Sequence, residues 1–175
     1  MTSRPGERER VSGRGDSRPP KTLPPLRTRL LTPSLEALDE LTCDAIAVGC
    51  ATDLLPLVGA AGFLDWRLCG EISRLFAEGR FGGREGEQIL LAAQGRVPPP
   101  RIFLFGWGET HALAQCATQR MAWMVEVLEA ADVESVAVML PEPCRPLLSY
   151  VDASLWSPLG DVLHGVFDTD ALWAK

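Results

Sequence analysis

Apolar residues recur along this chain with two alternating periods, and the switches between them set out an α/β order. Asp44-Ala45-Ile46-Ala47-Val48-Gly49 is a short apolar run that reads as a buried strand. Leu64, Leu68, Ile72 and Leu75 follow at spacings of four, four and three, the stripe of a single helix laid on a sheet. Gly79 stands where a left-handed C-cap would end that helix. Gln88 to Ala93 is the next strand, and after Pro98-Pro99-Pro100 the run Arg101 to Phe105 is another. Thr110 is the expected N-cap of a long helix carrying Leu113, Ala117, Met121, Met124 and Leu128, with Cys116 and Val127 widening its apolar arc. Ser135 to Leu140 closes the series as a fourth strand. The order strand, helix, two strands, helix, strand calls for a mixed central sheet flanked by helices on both faces.

The ends of the chain read differently. Residues 1–28 are rich in Arg, Gly, Ser and Pro and hold few apolar side chains to offset the entropy of ordering, so a disordered basic leader is expected there. Residues 29–140 form the expected domain. Residues 141–175 have no clear period but include Leu147, Leu148, Trp156, Val162, Leu163 and Trp173, too apolar for a solvated tail; this segment is expected to pack on the domain or on a partner.

Charge sharpens the division. Residues 1–30 carry eight Lys and Arg against three acids, so that stretch is +5 and the remaining 145 residues are −11, which together give the net −6. An acidic body repels phosphate backbones, and a basic arm without aromatic residues offers charge but no stacking, so nucleic acid is disfavoured as a partner. Five widely spaced cysteines without a CxxC pair suit buried thiols in a reducing compartment. With no signal-peptide core and no apolar run near about 18 residues, a cytoplasmic protein without membrane association is expected.

The stretch Gly79 to Glu87, the strand Ile102 to Phe105 closing on Gly106-Trp107-Gly108, the strand ending at Gly49 and the segment Gly59-Ala60-Ala61 before Leu64-Asp65 share their order with a known family. From Leu30 to Leu140 the chain resembles the N-terminal domain of the leucyl aminopeptidases, whose fold is similar to a macro domain. The resemblance implies a three-layer α/β fold. It also implies a role in assembly, since the equivalent domain helps hold the family's hexamer together. In that family the peptidase chemistry lies in a separate C-terminal domain, where two metal ions sit around a motif of the form Asn-Thr-Asp-Ala-Glu-Gly-Arg. The present sequence holds no such motif, so no aminopeptidase chemistry, metal or cofactor is expected of it.

Other chemistry finds little support. His111 and His164 are 53 residues apart with no neighbouring ligand pair, which does not make a metal site. Asp44 and Asp53 flank the first strand and Asp65 begins the following helix, positions where carboxylates commonly serve structure. Cys50, at a strand end, is the one cysteine whose context could lower its pKa. The binding candidate is Gly106-Trp107-Gly108-Glu109-Thr110, where two glycines lead a strand into a helix start and backbone amides could face a phosphate. A macro domain resemblance places Gly49 on the other wall of such a cleft, although Cys50 to Gly59 lacks the Asn-Ala-Ala-Asn and glycine run of ADP-ribose binders. Trp66, Trp123, Trp156 and Trp173 are the candidate interface anchors. The resulting expectation is a non-catalytic module for a protein partner or self-association, with a phosphorylated nucleotide at Gly106–Thr110 as the second reading.

Overall fold

In a computed structural model, residues 34–141 and 161–164 are described. Among the described residues, four helices and five strands follow one another as α1 (Leu35–Asp39), β1 (Ala45–Ala51), α2 (Gly59–Arg67), α3 (Glu71–Ala77), β2 (Gln88–Ala92), β3 (Arg101–Gly108), α4 (Leu113–Ala130), β4 (Ser135–Met139) and β5 (Asp161–His164). The strands form one sheet in the order β2-β3-β1-β4-β5. β1 pairs parallel with β3 and β4, β5 is parallel to β4, and β2 is antiparallel to β3.

Every residue of β1 is buried, as a central strand covered on both faces requires. Its side chains alternate between two cores. Ala45 and Ala47 face α4 with Phe103, Phe105, Met121, Met124 and Leu128, while Ile46, Val48 and Cys50 face α1, α2 and α3 with Leu38, Leu64, Ile72 and Leu75. The result is the three-layer α/β arrangement expected from the sequence.

Two readings need correction. The stripe from Leu64 to Leu75 is two helices rather than one: Cys69 and Gly70 both adopt positive φ, at 56° and 77°, and turn the chain between α2 and α3. All four apolar residues still reach the same core, which is why the periodicity looked continuous. Gly79 does end α3 with φ 66°, and Arg80 donates its N–H to Leu75 O at 3.0 Å. Thr110 does not cap α4. It opens a single 3-10 turn over Thr110–Ala112, and α4 starts one residue later.

The structure also adds an element. Within the apolar C-terminal segment, Asp161–His164 is a strand that extends the sheet beside β4, so this part of the segment belongs to the domain. The leader, Trp156 and Trp173 lie outside the described residues. Among the described residues no helix is long and apolar enough to cross a membrane.

Candidate functional site

The carboxyl ends of β1 and β3 meet at an irregularity: Cys50 pairs with Gly106 and Ala51 with Gly108, so Trp107 is an extra residue that bulges from the ladder. Its ring is fully buried against Gly49, where a Cβ would lie 3.0 Å from the indole and 2.9 Å from Pro141 Cδ. Glycine at 49 therefore makes room for a tryptophan and a proline.

The turn between α3 and β2 lies directly over this end of the sheet. Gly106 donates its N–H to Glu87 O at 2.7 Å and Gly108 donates to Gly83 O at 2.8 Å. A Cβ on Gly106 would sit 1.9 Å from Arg84 O, so the two backbones touch there in a way only glycine permits. The turn is braced internally: Glu87 Oε2 accepts from the N–H groups of Gly82 (2.8 Å) and Arg84 (3.0 Å), and Arg84 Nη1 donates to Glu87 Oε1 at 2.9 Å. Burial alone would raise the Glu87 pKa, but these three donors and the guanidinium charge outweigh it and lower the pKa.

Thr110 is engaged in the same inward fashion. Its N–H and hydroxyl donate to the two oxygens of Asp53, at 2.9 and 2.6 Å, and the hydroxyl followed by the amide lowers the Asp53 pKa. The structure thus brings Gly49, Gly106, Trp107, Gly108 and Thr110 together at one end of the sheet. The N–H groups of Gly106, Gly108 and Thr110 are donated to acceptors of the protein itself.

The carboxylates considered from sequence all serve structure. Asp44 Oδ2 accepts from the N–H groups of Glu134 and Ser135 at 2.9 Å each, fastening the start of β1 to that of β4. Asp65 is buried in α2 and accepts from Ile72 N, Ser73 N and Ser73 Oγ, capping the first turn of α3 from a neighbouring helix. Cys50 is corrected: burial first, then the nearby Asp65 charge, push its pKa up to about 12, the opposite of activation. Burial likewise pushes Cys43 up to about 11. Among the described residues no group of three or more His, Cys, Asp and Glu is placed to hold a metal ion.

The described tryptophans separate into two kinds. Trp123 is half-buried and packs edge-to-face on Phe105 at 5.2 Å. Trp66 is 64% exposed, with the Arg67 guanidinium over its ring at 5.4 Å. It borders an open cleft of about 770 Å³ walled by Pro56, Leu57, Gly62, Cys69 and Arg96. Leu55 and Val58, on either side of Pro56-Leu57, are also exposed.

Sequence reasoning passed over Arg120. It follows Ala117 by three residues and precedes Met124 by four, so a charge stands inside the buried arc of α4. That interruption of the stripe was the available signal.

Comparison with known proteins places these features. The profile of the cytosol aminopeptidase family, N-terminal domain, matches residues 47–157. A probable cytosol aminopeptidase of Alkaliphilus oremlandii (strain OhILAs) is 29% identical over 117 residues, covering 65% of this chain and 23% of the relative. One of Nostoc punctiforme (strain ATCC 29133 / PCC 73102) is 29% identical over 92 residues, covering 53% and 19%. The chain thus spans about a fifth to a quarter of the length of these relatives. In fold it is similar to a mutant tomato leucine aminopeptidase (TM-score 0.55, 16% identity, 86% of this chain and 35% of that one). It is similar also to the macrodomain of Mycobacterium tuberculosis DarG (TM-score 0.56, 13% identity, 80% and 98%). The match covers more than half of the sequence and is confined to one part of the relatives: this chain belongs to the cytosol aminopeptidase family through its N-terminal domain.

Proposed function

We propose that this domain is a non-catalytic interaction or assembly module and that the Trp66 face of α2 is its contact surface. The observation that carries the reading is the 64% exposure of Trp66 beside exposed Leu55 and Val58, in a domain whose other described tryptophans are buried or half-buried. An exposed indole with flanking aliphatic residues is the composition of an interface centre, where aromatic anchors carry most of the binding energy. The family relatives are named aminopeptidases, yet the profile match is to the N-terminal domain, and the 175 residues contain no Asn-Thr-Asp-Ala-Glu-Gly-Arg motif. No release of amino acid from a leucine amide is expected from this chain in the presence of zinc or manganese.

The test compares the full chain with Trp66→Ser by size-exclusion chromatography with light scattering, each alone and after quantitative capture from the native extract. The reading expects an assembly, or a stoichiometric partner, that Trp66→Ser loses while keeping its fold. Identical behaviour of the two proteins would overturn it. The second reading, a phosphorylated nucleotide at Gly106–Thr110, is weakened by the inward donation of the Gly106, Gly108 and Thr110 amides.

A further inference from the structure

We infer that Arg120 is an oxyanion-binding residue, covered at rest by the Glu85 carboxylate, which receives a phosphate or carboxylate group of a small molecule at the carboxyl end of the sheet. The Arg120 side chain is 5% exposed. One nitrogen, Nη2, donates to Glu85 Oε2 at 3.0 Å, while Nε and Nη1 are buried with no hydrogen-bond partner. A guanidinium keeps its charge at any physiological pH and presents donors in a planar fork that suits two oxygens of one oxyanion. A buried charge that uses a single contact is costly to hold, and unpaired buried donors in a native structure call for an explanation.

Position supplies one. The guanidinium lies against Gly108, where a Cβ would come 3.6 Å from both Nη1 and Nη2. Thr52, directly after β1, is bonded through its N–H to Gly108 O at 2.9 Å, and its hydroxyl is likewise buried without a partner. These groups sit outside the carboxyl ends of β1 and β3, the place where open α/β sheets take up ligands.

Glu85 fits the part of a replaceable cover. Its side chain is 66% exposed, and it stands on a turn whose backbone is pinned to β3 through Gly83 O and Glu87 O. Rotation of one exposed side chain exchanges the carboxylate without moving the turn. The inference is independent of the Trp66 surface, since α2 and α4 cover opposite faces of the sheet.

The experiment is thermal melting of the full chain, of Glu85→Ala and of Glu85→Ala/Arg120→Met in rising inorganic phosphate, pyrophosphate or succinate, each against chloride at matched ionic strength. Glu85→Ala is expected to melt several degrees higher with a saturating dose response to phosphate or succinate and none to chloride. Its apparent affinity should be at least about tenfold tighter than that of the unaltered chain. The double variant should show no response. Saturation with pyrophosphate and phosphate but not succinate identifies a phosphoryl ligand, and the reverse identifies a carboxylate. The absence of any saturable response in Glu85→Ala, or its survival in the double variant, overturns the inference and leaves the pair as a fastening between α4 and the turn. If the double variant does not fold, Glu85→Ala against its chloride control decides alone.

Discussion

Around Gly106 and Gly108 the chain folds its own turn onto the strand, and carbonyls of Gly83 and Glu87 take the strand's N–H groups. Around Trp66 it leaves an indole and two aliphatic side chains facing outward. Residue types alone point to recognition at both stretches. A glycine pair beside a helix start thus serves equally well to admit a ligand or to admit another piece of backbone, and only the partner of each N–H tells which. Tryptophan is ambiguous in the same way, with Trp107 entirely enclosed and Trp66 mostly open.

The comparison breaks most sharply at Gly106. Gly106→Val places a side chain on a backbone oxygen that a Cβ alone would approach to 1.9 Å. A loss of about 4 kcal/mol or outright failure to fold is expected in urea denaturation, because a pinned turn cannot yield as a flexible side chain would. Full stability of this variant would mean the turn does not sit on β3.

Next comes Asp65→Ala, beneath the Trp66 cleft. It removes a buried carboxylate that accepts three hydrogen bonds and caps α3, so a loss of about 2–4 kcal/mol is expected in the same assay. A smaller loss would show that the open face is not braced by this cap.

Acid titration sharpens the other side. The Glu87 and Asp53 pKa values are both lowered in the folded protein. Their contribution is therefore present above the unfolded carboxylate values of about 4 and is lost as pH falls through the lower folded values. Glu87→Gln is expected to flatten the acid arm of the stability curve against pH, and an unchanged arm would remove Glu87 as the brace of the turn. The smallest effect on stability belongs to Trp66→Ser, within about 0.5 kcal/mol of the parent, although the same change is expected to abolish assembly.

The layers of the fold were legible because each strand and stripe keeps its own period: β1, β2, β3 and β4 all fall on the apolar runs that announced them. What escaped depends on contacts distant in sequence. The break at Cys69–Gly70 was hidden because Leu64, Leu68, Ile72 and Leu75 share one core across two helices. Thr110 looked like a cap because nothing in the sequence says that Asp53, 57 residues earlier, takes its amide and hydroxyl. β5 was unreadable as a strand because four residues without alternation gain their pairing from β4, distant in sequence. Cys50 reads as a strand end whose context could lower its pKa, yet it points into the core beside Asp65. Trp66 was legible as a candidate interface anchor from its residue type, and Arg120 could have been found as the charge inside the α4 stripe.

Hydroxyl-radical footprinting across the assembly transition distinguishes an outward-facing contact tryptophan from an enclosed one, because Trp66 and Trp107 report side by side within one molecule. Trp66 is expected to be labelled heavily in the dissociated protein and protected on assembly or partner binding, with Trp107 protected throughout. Equal labelling of Trp66 before and after would contradict it.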